Sequence, residues 1–137
     1  MWDKIAKFIL AVLLLGSVFL RFYKLGSIPQ GLNIDEASYG YDAYSLLKTG
    51  KDQWGHSWPK VFYSFGDYKP PGLTYLIYLI LQFISLSTLA VRLPSAIAGL
   101  GILFITIKTL NLLFLKQFKY NLWLVIILAT SPWFFWY

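Results

Sequence analysis

Cysteine is absent from the chain. This excludes disulfides, iron–sulfur clusters and thiol nucleophiles, and carries no information about compartment. Histidine occurs once, at His56, too few for a zinc centre built from three or four ligands, and that residue is expected to pack in a loop beside Trp54 and Trp58. Charge is scarce as well. Asp, Glu, Lys and Arg make up 13% of the residues, against about 25% in a soluble globular domain. The net charge of +6 invites a nucleic-acid reading, but the basic residues stand singly around apolar segments and form no patch, so no nucleic-acid partner is expected. That scatter suits flanks facing anionic lipid. What the chain has in excess is long apolar runs, 58% hydrophobic residues in all, so the expected solvent is a bilayer. No fixed-period repeat is visible. The apolar ending Ser131-Pro132-Trp133-Phe134-Phe135-Trp136-Tyr137 makes the expected reading an N-terminal fragment of something longer.

Residues 5–23 form the first apolar run, with Lys4 before it and Lys7 near its start. Arg21-Phe22-Tyr23 stands where a signal peptide would carry small residues, so an uncleaved anchor is expected. Residues 24–70 are polar, aromatic and rich in turn formers, and hold five of the six acids: Asp35, Glu36, Asp42, Asp52 and Asp67. Within them, Asp35 to Lys48 reads as one helix, with an Asn33/Glu36 capping box at its start and Gly50 as its stop. Residues 71–91 carry no charge, and Thr74, Tyr78, Gln82 and Ser85 recur at helical spacing. Such a helix can cross the membrane with its polar stripe against a neighbour, or lie in the interface plane. Residues 93–115 are a stronger span, with Lys116 and Lys119 following, and residues 120–137 are a last, incomplete one. If the amino terminus and the basic connection near 116–120 share the cytoplasmic side, an even number of spans separates them. That favours a surface position for 71–91, whereas four spans would put Lys116 and Lys119 outside. The expected architecture is therefore an all-α, polytopic transmembrane helical bundle in the plasma (inner) membrane, with an extracytoplasmic loop over 24–91 carrying membrane-surface helices.

Three motifs carry chemistry. Asp35-Glu36 lies at a helix start, where carboxylates are favoured by the free N–H groups and the macrodipole. The same capping would hold a carboxylate rigid and ionised, as a base requires. Asp67-Tyr68-Lys69-Pro70-Pro71 reads either as a juxtamembrane turn or as a site for a divalent cation and a lipid phosphate. Arg92, before Leu93-Pro94-Ser95, is either a snorkelling interfacial arginine or a two-point phosphate ligand. Most of the aromatic residues suit interfacial anchoring, and a minority, such as Tyr39, Tyr41 and Trp54, suit a sugar site.

The order of these pieces resembles the start of the GT-C membrane glycosyltransferases, in particular the protein O-mannosyltransferases and the aminoarabinose transferases of lipid A. After the first run come Asp35-Glu36-Ala37-Ser38-Tyr39-Gly40-Tyr41-Asp42-Ala43, Gly50-Lys51-Asp52, Asp67-Tyr68-Lys69-Pro70-Pro71, Val91-Arg92-Leu93-Pro94-Ser95-Ala96 and Ala129-Thr130-Ser131-Pro132. The resemblance covers the chain from about Arg21 onward. It implies a hexosyl or pentosyl transferase that moves a sugar from a polyprenyl-phosphate donor to a hydroxyl of a lipid, glycan or protein acceptor, with inversion, on the extracytoplasmic face. It implies Asp35 as general base with Glu36 in support, Lys69 and Arg92 at the donor phosphate, and Asp67 on a divalent cation (Mg, Mn or Zn), although Tyr68 here separates the acid from the Lys-Pro. Lys69, where the mannosyltransferases have a histidine, leans towards the lipid-modifying members. The resemblance also places 71–91 on the membrane surface. The competing expectation is a small non-enzymatic membrane protein, such as a transporter subunit or a lipid-binding accessory.

Overall fold

The computed structural model describes residues 2–113. In chain order these form α1 (Trp2–Phe22), α2 (Ile34–Thr49), β1 (Phe62–Ser64), β2 (Asp67–Lys69), α3 (Pro71–Leu81) and α4 (Thr88–Leu113). They belong to two compact units: one holds the residues up to Tyr23 and those from Ala96 onward, the other is Lys24–Ser95.

In the first unit, α1 and the later turns of α4 turn many apolar side chains outward, among them Phe8, Leu15, Phe19, Phe104, Ile105 and Leu112. Ser17 and Arg21 are buried polar residues one turn apart on α1, and the Arg21 Nη1 donates to the Ser17 hydroxyl and, at 3.3 Å, to its carbonyl.

The second unit is organised around α2 and α3. Ala43, Ile77, Leu81, Ala90 and Val91 form its buried core, with Tyr39, Leu47, Leu73, Tyr78 and Ile80 packed around it. α2 starts at Asn33, whose backbone N–H donates to Glu36 Oε2 at 2.9 Å, and stops at Gly50, which takes the left-handed conformation (φ 69°) that glycine adopts without cost. α3 begins with Pro71 at its first turn, where a missing N–H breaks no helical bond. It presents Thr74, Ile77 and Leu81 inward, while Leu76 and Leu79 stay half-exposed on the other side. Gln82 and Ser85 lie beyond its last turn, so the expected polar stripe does not exist as a helix face; Thr74 belongs to the buried side.

Gly40 sets how closely α2 and α4 approach. A Cβ built there would stand 2.7 Å from Cγ2 of Val91, and the β-branched Val91 has little rotamer freedom to yield. Gly40→Ala should therefore lower stability by about 1 kcal/mol, the overpacking cost exceeding the gain in helix propensity. Gly72→Ala, with nothing within 4 Å of its Cβ, should not. Thermal unfolding of the two variants side by side checks this.

β1 and β2 form a two-residue hairpin in which Phe62 pairs with Lys69, Tyr63 with Tyr68 and Ser64 with Asp67. Phe65 and Gly66 at its tip both have positive φ, 52° and 81°, the conformation of a type I′ turn, which matches the strand twist. The loop before the hairpin is held to α3 by Trp58, which stacks on Tyr75 and meets Tyr78 edge-on, and by the Tyr75 hydroxyl, which donates to the Pro59 carbonyl at 2.8 Å.

The expected all-α polytopic bundle is overturned on two counts. The described residues contain a β-hairpin. Among them, one helix, Thr88–Thr109, is long and apolar enough to cross a membrane. The apolar stretches Ala11–Phe22 and Pro71–Leu81 fall short of the roughly 20 residues a crossing needs. α3, at about 1.5 Å per residue, reaches about half of a ~30 Å hydrocarbon core. Residues 71–91 thus contain a short helix, a break and the start of α4 instead of a crossing. The span expected over 120–137, with the charges Lys116 and Lys119, lies outside the described residues.

Candidate active site

The first turn of α2 collects two of the charged pairs of the second unit. Asp35 and Glu36 lie in the first turn of α2, after Asn33 and Ile34, so their carboxylates emerge at the helix N-terminus, where the unpaired N–H groups favour negative charge. Each meets a cation brought from far along the chain, and the two encounters differ in kind.

Glu36 accepts from Arg92 Nε at 2.8 Å and from Nη2 at 3.1 Å, the two-point geometry of a guanidinium on a carboxylate. Arg92 is buried, and only a small part of the Glu36 side chain is exposed. The remaining Arg92 N–H groups donate to backbone carbonyls: Nη1 to Leu25 at 3.2 Å and Pro29 at 3.0 Å, and Nη2 to Gly31 at 2.5 Å. All five donors of the guanidinium are thereby used. Arg92 ties the irregular segment 25–31, the start of α2 and the second turn of α4 into one body. It has no N–H left for a phosphate. Because Arg92 lies within the apolar helix, this full set of partners is what makes its charge tolerable there.

Asp35 is arranged differently. Its Oδ1 accepts from Lys69 Nζ at 2.7 Å, but its side chain is 61% exposed while that of Lys69 is 5% exposed. Oδ2 of Asp35 has no partner among the described residues. The hairpin delivers Lys69: it shares the inward face with Phe62 and Ser64, so β2 pushes the ammonium under the carboxylate. The Lys69 ammonium also lies 5.0 Å from the Tyr39 ring centre and 5.7 Å from that of Phe65, aromatic faces that favour a cation. Buried Ser38 and Ser64, 2.6 Å apart through their hydroxyls, bolt the hairpin to α2 beside this pair.

Asp42 lies seven residues on from Asp35 on α2 and is buried. It accepts from the backbone N–H of Gln53 at 3.1 Å and from the side-chain amide at 3.3 Å. Burial pushes its pKa above the ordinary 3.8, the bonds from Gln53 and the nearby Lys69 charge pull it back, and the neighbouring Asp52 carboxylate raises it further. A raised folded-state pKa means that the folded protein holds this proton more tightly than the unfolded chain does. The contribution of Asp42 to stability is then fully present below pH 3.8 and is lost as pH rises through the folded-state value. The stability difference between Asp42→Asn and wild type should accordingly shift in favour of the variant between pH 4 and pH 7, as measured by denaturant midpoints at both.

Asp67 stands apart. Its Oδ1 accepts from the adjacent Tyr68 N–H at 2.8 Å, and no group of three or more His, Asp or Glu that could hold a metal ion occurs among the described residues. His56 pairs with Asp52 through Nδ1 at 3.1 Å, and Asp52 also accepts from the backbone of Trp54 and His56, fixing the loop. Tyr41 is exposed on α2. Sequence reasoning missed the hairpin that positions Lys69. Its one sequence trace is the Phe65-Gly66 turn, with glycine at the second turn position, since each strand has three residues. It also missed the Asp42–Gln53 clamp, which leaves no periodic trace.

No protein family, curated protein or solved structure was found to match the chain.

Proposed function

We propose that this chain provides the acceptor-activating part of a glycosyltransferase that takes its sugar from a polyprenyl-phosphate donor at the extracytoplasmic membrane surface, with Asp35 as the base. The observation that carries this reading is the Lys69–Asp35 pair. Here the cation is buried beneath a carboxylate that offers one free oxygen to solvent. Such a carboxylate is fixed by one oxygen and free to take a proton at the other, as general-base work on a hydroxyl demands. In the reaction the acceptor hydroxyl gives its proton to Oδ2 of Asp35 as its oxygen bonds to the anomeric carbon, and the bond from that carbon to the phosphate oxygen breaks. Lys69 holds Oδ1 of Asp35 with one of its N–H donors, and its charge, buried beneath the carboxylate, counters the negative charge that develops on the leaving phosphate. Glu36 and Arg92 act as positioning residues.

The test is to offer the full-length protein a panel of polyprenyl-phosphate sugars with hydroxyl acceptors and follow release of the free lipid phosphate. Sugar-dependent release supports the reading, and no release with any donor contradicts it. A non-enzymatic membrane protein is the second reading. The saturation of Arg92 favours it, since a guanidinium with all its donors spent inside the protein serves structure and not a ligand.

A further inference from the structure

The hairpin is closed by a turn that its first residue does not favour. Ser64 pairs with Asp67, so Phe65 and Gly66 are the two turn residues, at φ 52° and 81°. A type I′ turn needs positive φ at both positions, and asparagine followed by glycine suits it best. Gly66 meets that demand. Phe65 does not, because a bulky side chain in the left-handed region is strained. Burial does not explain the choice either. Phe65 is 69% exposed, so its ring contributes little to the core. What the ring does meet is a charge. The Lys69 ammonium lies 5.7 Å from its centre and 5.0 Å from that of Tyr39. The same ammonium donates to Asp35 Oδ1 at 2.7 Å. The Lys69 side chain is 5% exposed, although it stands at the end of a three-residue strand.

We propose that Phe65 is a positioning residue, held at this turn against local preference because its ring keeps water off the Lys69 ammonium and so pins that charge on Asp35. Residues that break a local backbone rule gather at functional sites, where something else is gained. Here the gain is electrostatic. A free ammonium is strongly hydrated. Between ring faces and a carboxylate it keeps favourable contacts without water, and with water excluded its field acts more strongly on Asp35 and on any charge arriving beside it. Asparagine or glycine at position 65 would relax the turn and open the ammonium to solvent. Turn stability and a dry Lys69 therefore pull in opposite directions at one residue. A ring that served only to pack would behave differently, since its removal lowers stability. An effect on sugar transfer rests on the transferase reading; the shielding of Lys69 does not.

The test treats the full chain in detergent with a dilute amine-acylating reagent, reads modification of each lysine by mass spectrometry, and records thermal unfolding beside it. In the wild type, Lys69 should react slowly compared with the exposed Lys51 and Lys60. Phe65→Asn should speed its reaction at least about tenfold, with a thermal midpoint equal to or above wild type. Phe65→Gly should do the same. Phe65→Tyr, which keeps a ring, should keep Lys69 protected. Under the transferase reading, Phe65→Asn should also lower kcat about tenfold with little change in KM, and Phe65→Tyr should restore it. Protection lost with transfer unchanged retains the shield and counts against Lys69 in the reaction. Equal modification of Lys69 in wild type, Phe65→Asn and Phe65→Gly overturns the shield. So does a midpoint that falls in both variants, which would make the ring a packing element.

Discussion

Replacing Arg92 by alanine should cost about 3–5 kcal/mol of stability, the loss found when one partner of a buried ion pair is removed. The magnitude follows from what would be stranded. The Glu36 carboxylate would keep the bond from the Asn33 N–H but lose its two-point cation. The carbonyls of Leu25, Pro29 and Gly31 would lose donors that no neighbouring side chain replaces. A loss of this size is a large share of the 5–15 kcal/mol typical of a whole protein, so the variant should unfold at markedly lower temperature or fail to accumulate. Arg92→Lys should recover little, because an ammonium is a point charge with three donors and cannot span Glu36 and three carbonyls at once. A thermal midpoint for Arg92→Lys equal to that of wild type would show that the clamp is not holding segment 25–31.

Asp35→Asn should lower the rate of sugar transfer by about 10²–10⁴-fold, the contribution of a positioned general base, while leaving the fold in place. The asparagine oxygen can still accept from Lys69, and Lys69 keeps the Tyr39 and Phe65 rings beneath it. The Asp35 side chain is 61% exposed but that of Lys69 is 5% exposed, so removing the charge leaves a buried ammonium without its carboxylate and costs some stability, less than loss of Glu36 does because the asparagine oxygen and the two rings still meet the cation. Asp35 and Glu36 are neighbours with similar chemistry, yet they should fail in opposite ways. Loss of Asp35 should affect rate, and loss of Glu36, which would strand the buried Arg92 charge, should affect stability.

The parts of this arrangement that were legible in the sequence are those fixed by local chemistry. α2 follows from Asn33, Glu36 and Gly50, each acting within one turn of its own position, and the helix of the structure matches the expected bounds to about a residue. The grouping of Asp35, Glu36, Lys69 and Arg92 was anticipated only through a resemblance, and the geometry redistributes their parts. Arg92 reads as a phosphate ligand in sequence because its principal partners are the carbonyls of residues 25, 29 and 31, and a backbone acceptor leaves no side-chain signature. The hairpin was read as loop because each strand has three residues, too short for alternation to stand out. The stripe of Thr74, Tyr78, Gln82 and Ser85 was misleading because it assumed a helix running past Leu81. The all-α polytopic bundle failed because the expected loop contains a hairpin and because the apolar stretch of α1, Ala11–Phe22, is shorter than a crossing.

The division of roles between Asp35 and Glu36 is tested most directly by the transfer rate of Asp35→Asn at saturating donor, taken with its thermal midpoint beside that of Glu36→Gln. The predicted result is a rate reduced by at least about 10²-fold in a folded Asp35→Asn protein, with the larger drop in midpoint appearing in Glu36→Gln. Wild-type turnover by a normally folded Asp35→Asn protein would contradict it.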